Sequence, residues 1–451
     1  MTIKKRKQKN GHPFWHFFKR FILISFLFVV AIITTAVIYY FSTLYTPGEE
    51  QEGYLALTNG TVLLGEELES VEGLTVLIHD GIISHIGATL DLPESATVMD
   101  LDGQTLMPGL IDLHVHLGMP EIELGQEPSP LEMVSLISDF FRYAPDKRES
   151  LLNHGITTVR SVGDEHEWMM EFRRLIQVGE LEGPRLFTSG SLFTTLEGHP
   201  IASVGTDPES GVVLFPDTAE EARQNVQELA SGNEGVDLIK VVQERGHSQF
   251  PLQPIDTDVL QAIVSEANAH DIPVTGHWGA LEDLEELVEA GVDGLEHLGA
   301  GAVINGWPNE LLQAMVKESI LLSPTLMVET INADPEYQQR LLERTGEFHA
   351  AGGQLVVGTD AGMPGVFFGP SMYQELALLV KSGLSPREAL QSATSRAAHA
   401  LQSDEIGVIK PGKAADLIVI DGDPLQQIED IQYITHVFRD GRLVIENEEL
   451  Q

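Results

Sequence analysis

The chain has 451 residues and no cysteine, which excludes disulfides, thiolate zinc ligands and a cysteine nucleophile. Its 43% hydrophobic content and 42 glycines fit a globular α/β protein with many tight turns. The formal net charge of −41 argues against a nucleic acid partner, because a surface this acidic repels phosphates.

The N-terminal region contains the features of a membrane anchor. The first 20 residues include seven basic residues and no acid, and residues 21–41, FILISFLFVVAIITTAVIYYF, carry no charge. As a helix this stretch would be about 32 Å long, enough to cross a bilayer. Basic residues before such a span favour a cytoplasmic N-terminus. We therefore predict a basic cytoplasmic segment at 1–20, a transmembrane helix at 21–43 and a linker at 44–53.

A cleaved signal peptide is the alternative for this region. Its apolar part would usually be shorter, and no clean small-x-small cleavage site follows residues 21–41. The preferred prediction is a single-pass cell-membrane protein that contacts the lipid bilayer through this helix. The rest of the chain would lie outside the cytoplasm.

Two flanks of the chain, residues 54–105 and 404–451, are rich in turn signals. They contain an Asn-Gly pair at 59–60 and Asp-Gly pairs at 80–81, 102–103, 421–422 and 440–441. Such dipeptides between short apolar runs are typical of β-hairpins. We predict that the two flanks together form one small β-sandwich.

The middle of the chain, residues 106–403, alternates strand and helix patterns. The eight strand candidates are LMPGLIDLHVHL, GITTVRSV, PRLFTSG, VDLIKVV, IPVTGHW, GLEHLG, ILLSPTL and QLVVGTD. Eight β/α units in about 300 residues predict a (β/α)₈ TIM barrel, whose chemistry lies at the strand C-termini. A doubly wound open sheet is the alternative, but no glycine-rich dinucleotide fingerprint follows an early strand.

Six residues suited to metal binding lie at or near the ends of these strands. They are His114, His116, Lys240, His277, His297 and Asp360. His114 and His116 point to the same side of one strand because they are two residues apart. With Asp360, from the last strand of the barrel, they would hold one divalent ion. His277 and His297, from neighbouring strands, would hold a second.

Lys240 lies between these two sets in strand order. An ammonium would be repelled by two metals, whereas a neutral amine can react with CO₂ to form a carbamate that bridges both ions. A water shared by two ions would have a lowered pKa. Asp360 would accept its proton and pass it to a leaving amine. The alternative for Lys240 is a structural salt bridge.

Loops after the strands would form the substrate pocket, and three of their residues are candidate substrate contacts. Arg245 would pair with a substrate carboxylate, His199 would donate to a substrate carbonyl, and His247 lies close to Arg245. The alternatives are an ordinary solvated arginine and a histidine that caps a turn.

The order of the motifs resembles the amidohydrolase superfamily, and within it the imidazolonepropionase-like and prolidase-like members. MPGLIDLHVHLG is similar to the first-strand signature of that family. GITTVRSVGD, DLIKVV, GVDGLEHLG, SPTL, VVGTDAG and GVIKPGKAADLIVIDGDPL are similar to its later blocks, in the same order. The resemblance covers about residues 55–445.

This resemblance implies a barrel with a two-part β-sandwich and hydrolysis of amide or cyclic amide bonds, usually with zinc. It assigns the first metal to His114, His116 and Asp360, with Asp360 also the general base. It assigns the second metal to His277 and His297, and makes Lys240 the carboxylated bridge.

The bridging lysine narrows the expected activity. Imidazolonepropionases resemble single-metal enzymes without this lysine, so Lys240 favours a dipeptidase of the X-Pro type or an N-acyl amino-acid hydrolase. Ser161 departs from the aspartate common in the family, at a position we interpret as structural. The alternatives are a cyclic amide hydrolase and an inactive binding protein, although the latter would be expected to lose ligands. A homo-oligomer is also possible.

Overall fold

The computed structural model describes residues 13–42, 45–47, 53–122, 137–231, 235–299 and 301–447. The chain divides into two compact units, Met1–Tyr45 and Thr46–Gln451. The predicted linker at 44–53 lies mostly outside the described residues. The predicted barrel and the two flanking regions therefore belong to the second unit.

The first unit contains one long helix, α1 (Pro13–Ser42). Within it, Phe17–Thr35 has a mean hydropathy of 2.2 and none of it is buried inside the protein. Among the described residues this is the one helix long and apolar enough to cross a membrane, although a signal sequence has the same properties. The helix begins at Pro13. It therefore includes the end of the segment at 1–20 that was predicted to be a separate cytoplasmic region.

The second unit contains strands and helices in alternation. The strands are β1 (Tyr54–Leu64), β2 (Glu69–His79), β3 (Ile82–Gly87), β4 (Thr97–Asp100), β5 (Thr105–Pro108), β6 (Leu110–Val115), β7 (Ile156–Ser161), β8 (Arg185–Thr188), β9 (Leu192–Phe193), β10 (Val213–Leu214), β11 (Ile239–Gln243), β12 (Gly246–His247), β13 (Phe250–Pro251), β14 (Val274–Trp278), β15 (Gly294–Glu296), β16 (Leu321–Ser323), β17 (Gln354–Leu355), β18 (Leu417–Ile420), β19 (Ile434–Arg439) and β20 (Arg442–Glu446).

The helices of this unit lie mainly between the strands of its middle region. They are α2 (Pro145–Asn153), α3 (His166–Gln177), α4 (Ile201–Val204), α5 (Ala219–Ala230), α6 (Thr257–Ala269), α7 (Leu281–Ala290), α8 (Asn309–Lys317), α9 (Leu326–Thr330), α10 (Pro335–Ala350), α11 (Pro370–Lys381), α12 (Pro386–Ser392) and α13 (Ser395–Ala400). A 3₁₀ helix, Ile428–Gln432, lies between β18 and β19.

Strands from both flanks pair in a single eight-stranded sheet. Its order is β20-β19-β18-β5-β1-β2-β3, with β4 also paired to β1. The antiparallel pairing of β5 with β18, in which Leu106 lies opposite Val419, joins the two flanks. Both residues are buried in the core of this sheet together with Val76 and Phe438. The flanks therefore meet as predicted, but their strands form one continuous sheet and not two separate sheets.

Two of the five turn dipeptides of the flanks form hairpins, and those at 59–60, 102–103 and 421–422 do not. Asp80-Gly81 and Asp440-Gly441 connect antiparallel strands and have positive φ at both residues, as two-residue hairpin turns require. The hairpin predicted at Asn59-Gly60 is wrong: β1 continues through it, with register shifts on either side of Gly60. Asn59, at φ 57°, forms a β-bulge there, because the left-handed conformation serves a bulge as well as a turn.

The parallel strands of the middle region place sequence neighbours side by side. One sheet has the order β6-β7-β8, and another has β10-β9-β11-β14-β15-β16-β17. Main-chain hydrogen bonds then link β6 to the residues after β17. The Leu113 N–H donates to the Val357 carbonyl at 3.0 Å, and the Asp360 N–H donates to the His114 carbonyl at 2.8 Å. The first and last predicted strands are therefore adjacent.

Two of the predicted strands differ from those observed. The run LMPGLIDLHVHL is two strands, β5 in the flank sheet and β6 in the middle region, separated at Gly109. A Cβ at Gly109 would lie 2.2 Å from Thr157 Oγ1, so the chain passes this point without a side chain. The run QLVVGTD forms a strand only at β17, and hydrogen bonds to β6 position its remainder.

Candidate metal centre

The predicted site residues lie in, or shortly after, the strands of the middle region. His114 lies in β6, Lys240 in β11 and His277 in β14. His297 follows β15 and has φ 68°, and Asp360 has φ 63°. Left-handed conformations are uncommon for residues with a Cβ, and their occurrence at both positions is a feature typical of functional sites.

Asp112 fixes the position of the Asp360 segment. This buried carboxylate in β6 accepts hydrogen bonds from the Thr359 N–H at 3.0 Å and from the Thr359 hydroxyl at 2.7 Å. Thr359 directly precedes Asp360. The pair therefore holds the last predicted strand end against the first.

The first donor group consists of His114, His116, His297 and Asp360. Asp360 Oδ1 lies 3.3 Å from His116 Nε2 and 3.5 Å from His114 Nε2, and its Oδ2 lies 3.9 Å from His297 Nδ1. Within the described residues, Oδ1 is buried without a hydrogen-bond partner. A buried carboxylate oxygen surrounded by imidazole nitrogens fits a divalent metal ion, because the ion would satisfy it.

Glu296 orients His114 within this group. Its Oε2 accepts a hydrogen bond from His114 Nδ1 at 2.7 Å, and its Oε1 accepts from Arg160 at 2.6 Å and from Thr275 at 2.5 Å. With the proton on Nδ1, the lone pair of His114 Nε2 faces Asp360. Glu296 was not among the predicted residues; its signal was a charge inside the apolar run GLEHLG.

Three members of the first donor group, His114, His297 and Asp360, have protonation states that suit metal ligands. Burial lowers the pKa of His114 to about 4 and holds the pKa of His297 well below its ordinary value, so both imidazoles are neutral. Burial would raise the pKa of Asp360, but the histidines His114 and His116 hold it well below the usual range. Neutral imidazoles and an ionised carboxylate are the forms that bind metals.

Lys240 is 3% exposed and lies in β11, in register with Thr275 of β14. Burial lowers the pKa of its amine to about 8, although the carboxylates Glu296 and Asp360 partly offset that effect. A substantial fraction of this amine is therefore neutral in mildly alkaline solution.

His277 belongs to a second donor group, which consists of His199, Glu244 and His277. The Nε2 atom of His277 lies 3.1 Å from Glu244 Oε2, and its ring lies 4.8 Å from that of His297. The sequence suggested His277 and His297 as partners. The structure makes their rings neighbours but gives His277 a hydrogen bond to Glu244, which was not predicted.

The three predicted substrate contacts have different surroundings. His199 lies in the second donor group. Arg245 donates to Asp283 at 2.5 Å and to Glu286 at 2.7 Å, so carboxylates at α7 already engage its guanidinium. His247 is exposed on the short β12–β13 ribbon. Of the three, therefore, His199 lies beside a predicted metal ligand, His277.

Comparison with known proteins decides the family. Residues 105–444 match the family model described as amidohydrolase family. The chain belongs to the amidohydrolase family. It is therefore a hydrolase, and the hydrolases named among its relatives act on carbon–nitrogen bonds.

Two curated relatives and one solved structure illustrate the range of amidohydrolases similar to this chain. Ochratoxinase of Aspergillus niger is 25% identical over 434 residues, covering 87% of each chain. Imidazolonepropionase of Geobacillus sp. (strain WCH70) is 24% identical over 434 residues, covering 84% of this chain and 92% of the relative. A prolidase solved with N-methylphosphonate-L-proline has a TM-score of 0.69 at 25% identity, covering 88% and 100%. This likeness implies a TIM barrel with a small second domain.

Proposed function

We propose that this amidohydrolase is a metal-dependent enzyme that cleaves the amide C–N bond of an X-Pro dipeptide or an N-acyl amino acid. The observation that carries the proposal is the convergence of imidazole nitrogens on the partnerless Oδ1 atom of Asp360. His114, His116 and Asp360 would hold one divalent ion, zinc by the resemblance. When bound, such an ion polarises a carbonyl and lowers the pKa of water.

Asp360 has the catalytic role in this proposal. Its ionised carboxylate accepts the proton that the attacking water loses as the water oxygen joins the amide carbon. Asp360 then delivers that proton to the nitrogen as the C–N bond breaks. Water is thereby added across the bond, and the products are a carboxylic acid and an amine.

Lys240 is the proposed bridge to a second ion. Its neutral amine would attack CO₂, forming an N–C bond and releasing one proton to solvent, and the carbamate would offer two oxygens. The burial of the side chain and its pKa of about 8 support this step. After incubation with ¹³C-bicarbonate, ¹³C NMR should show a carbamate signal that Lys240→Ala lacks. An identical signal in the variant would exclude Lys240.

The substrate class rests on the likeness to prolidase and ochratoxinase. The test is a library of X-Pro dipeptides, N-acyl amino acids and cyclic amides, assayed on metal-loaded full-length protein with Asp360→Asn as the inactive control. Turnover of linear amides supports the proposal. Turnover confined to cyclic amides would favour the activity that the imidazolonepropionase relative suggests. No turnover with metal bound would favour a binding protein.

We also propose that α1 anchors the protein in the cell membrane with its catalytic unit outside the cytoplasm. The exposed apolar surface of Phe17–Thr35 and the basic residues before it support this placement. N-terminal sequencing of the mature protein separates an anchor from a cleaved signal. Protease treatment of intact cells then reports on which side the catalytic unit lies.

A further inference from the structure

A tight turn directly after β6 carries His116 into the first donor group. It runs from His116 to Met119, and the Met119 N–H donates to the His116 carbonyl at 3.0 Å, as in a hydrogen-bonded β-turn. Gly118 and Met119 are exposed, whereas the His116 side chain is only 14% exposed. Exposed turns are usually more mobile than the strands they follow, so the position of this imidazole depends on what holds the turn, called here the His116 turn.

Lys147, in the first turn of α2, binds two carbonyls of the His116 turn. Its Nζ donates to the Leu117 carbonyl at 2.8 Å and to the Met119 carbonyl at 2.5 Å. The side chain is 5% exposed, and burial lowers the pKa of its amine. Burying an ammonium is costly unless it is well paired. Hydrogen bonds from a charged donor are roughly twice as strong as neutral ones, so this lysine can restrain the turn firmly.

Asp164, in the loop after β7, binds the same turn from another side. Its Oδ1 accepts a hydrogen bond from the Gly118 N–H at 3.0 Å, and its Oδ2 accepts one from the Ser161 hydroxyl. Asp164 is 4% exposed. A Cβ at Gly118 would lie 2.7 Å from Asp164 Oδ1, so the turn approaches this carboxylate too closely for a larger residue. Two buried charges from different elements therefore bind opposite kinds of polar group in one turn.

Lys147 also contacts the loop that follows Asp360. Its Nζ lies 5.0 Å from the centre of the Phe368 ring, within range of a cation–π interaction. The His116 N–H donates to the Ala361 carbonyl at 2.8 Å. The lysine thus lies where the segments of His116 and Asp360 meet. The 3.3 Å separation between His116 Nε2 and Asp360 Oδ1 depends on the relative position of these two segments.

The simpler explanation is that Lys147 and Asp164 only stabilise the packing of α2 and of the loop after β7. Such a role needs no particular partner in the core. The three hydrogen bonds to the turn, however, all end on main-chain groups of the consecutive residues 117–119. This concentration directly after a candidate metal ligand favours a role in placing that ligand.

We propose that Lys147 and Asp164 are positioning residues that fix the His116 turn and thereby hold the His116 imidazole toward Asp360. They act through the main chain of the turn and do not touch the reacting atoms. The consequence for metal binding rests on the proposed function, whereas the restraint on the turn does not.

The first test is hydrogen exchange, followed by mass spectrometry, on metal-free, full-length protein. Lys147→Met and Asp164→Ala should each accelerate exchange in the peptide that contains residues 116–119 by about tenfold. Asp164→Asn keeps an oxygen acceptor and should restore most of the protection. Lys317→Met, on a side chain 80% exposed, and Asp258→Ala, at an exposed position of α6, should exchange as wild type does. Circular dichroism verifies folding, and either position suffices if a variant at the other unfolds.

The second test measures binding of Co²⁺ by isothermal titration and by the visible spectrum of the bound ion. Lys147→Met should weaken the affinity of otherwise wild-type protein by about tenfold, as loss of an outer partner of a metal ligand does. In a His116→Ala background the same substitution should weaken it by less than about threefold, because the lysine would act through His116. Lys317→Met should have no effect in either background.

The outcomes separate the explanations. Unchanged exchange of the 116–119 peptide in both Lys147→Met and Asp164→Ala would overturn the proposal. An equal loss of Co²⁺ affinity with and without His116 would also overturn it, because a merely structural role gives that result. Faster exchange with unchanged affinity would show that the turn does not place His116. If wild type binds no Co²⁺, the proposed function fails, and the exchange rates still decide whether the two charges fix the turn.

Discussion

The core of the flank sheet is apolar, whereas the strands that carry the donor groups bury charged side chains. In the flank sheet, the carboxylate of the Asp80 turn is 75% exposed, and apolar residues such as Phe438 fill the core. In the strands of the middle region, Glu296 and Lys240 are no more than 3% exposed. A buried charge persists only with suitable partners, so the strands with the donor groups depend on specific pairs, whereas the core of the flank sheet depends on apolar area.

Asp360→Asn should give the largest effect on activity. It should lower the rate of catalysis without lowering the stability of the flank sheet. Removing the charge that is proposed to bind the ion and to accept the proton is expected to lower kcat by about 10²–10⁴-fold. Initial rates measured beside urea unfolding curves test this expectation. Asp404→Asn, which changes a carboxylate that is 95% exposed, is the matched control. Comparable rates in both variants would show that Asp360 has no catalytic role.

Phe438→Ala should lower stability without lowering metal binding. Phe438 is fully buried in the flank sheet, and truncating a buried phenylalanine costs about 3–5 kcal/mol of unfolding free energy. At temperatures where the variant remains folded, its metal content should equal that of wild type. Tyr433→Ala, at a position 42% exposed, is the control for loss of an aromatic ring. Metal lost from folded Phe438→Ala would show that the two regions are coupled.

Glu296→Gln should weaken metal binding. The amide cannot hold His114 as the carboxylate does, and loss of such an orienting partner typically costs 10–100-fold in metal affinity. Competition with a chelator measures the change. Glu285→Gln, on the exposed face of α7, is the control, and equal affinities would show that Glu296 does not position His114.

Glu375→Gln should change the pH dependence of stability. Burial raises the pKa of Glu375 to about 8, so between about pH 4.5 and 8 the folded protein keeps a proton that the unfolded chain has lost. Wild-type stability therefore falls as the pH rises through this range. The Tm of the variant minus that of wild type should increase from pH 5 to pH 8 by roughly 1–3 °C. A constant difference would contradict the raised pKa.

The contrast between the two regions also explains what the sequence could predict. Asp-Gly turns and apolar alternation are local patterns, so they indicated the flank strands and two hairpins correctly. The left-handed conformation of Asn59 is local as well, but whether it makes a turn or a bulge depends on the pairing of β1 with β2. Likewise, the separation at Gly109 arises from its contact with Thr157, which no pattern around Gly109 reveals.

In the donor groups, the residue types near strand ends predicted the metal ligands, but the sequence did not predict the hydrogen-bond partners of those ligands. Glu296 meets His114 from 182 residues away, and Glu244 meets His277 from 33 residues away. Arg245 was predicted to bind a substrate carboxylate, but it donates a hydrogen bond to Asp283 on the following helix. Such pairings are set by the packing of whole elements, which neither periodicity nor spacing encodes.

The bond between Asp112 and Thr359 has a consequence for biosynthesis. The two residues are 247 positions apart. During N-to-C synthesis at roughly 5–20 residues per second, Thr359 is therefore synthesised about 12–50 s after Asp112. Throughout that time the nascent chain exposes His114 and His116 without Asp360. The proposed centre can therefore close only after Asp360 has been synthesised, and a polypeptide terminated before that residue would carry imidazoles but no closed centre.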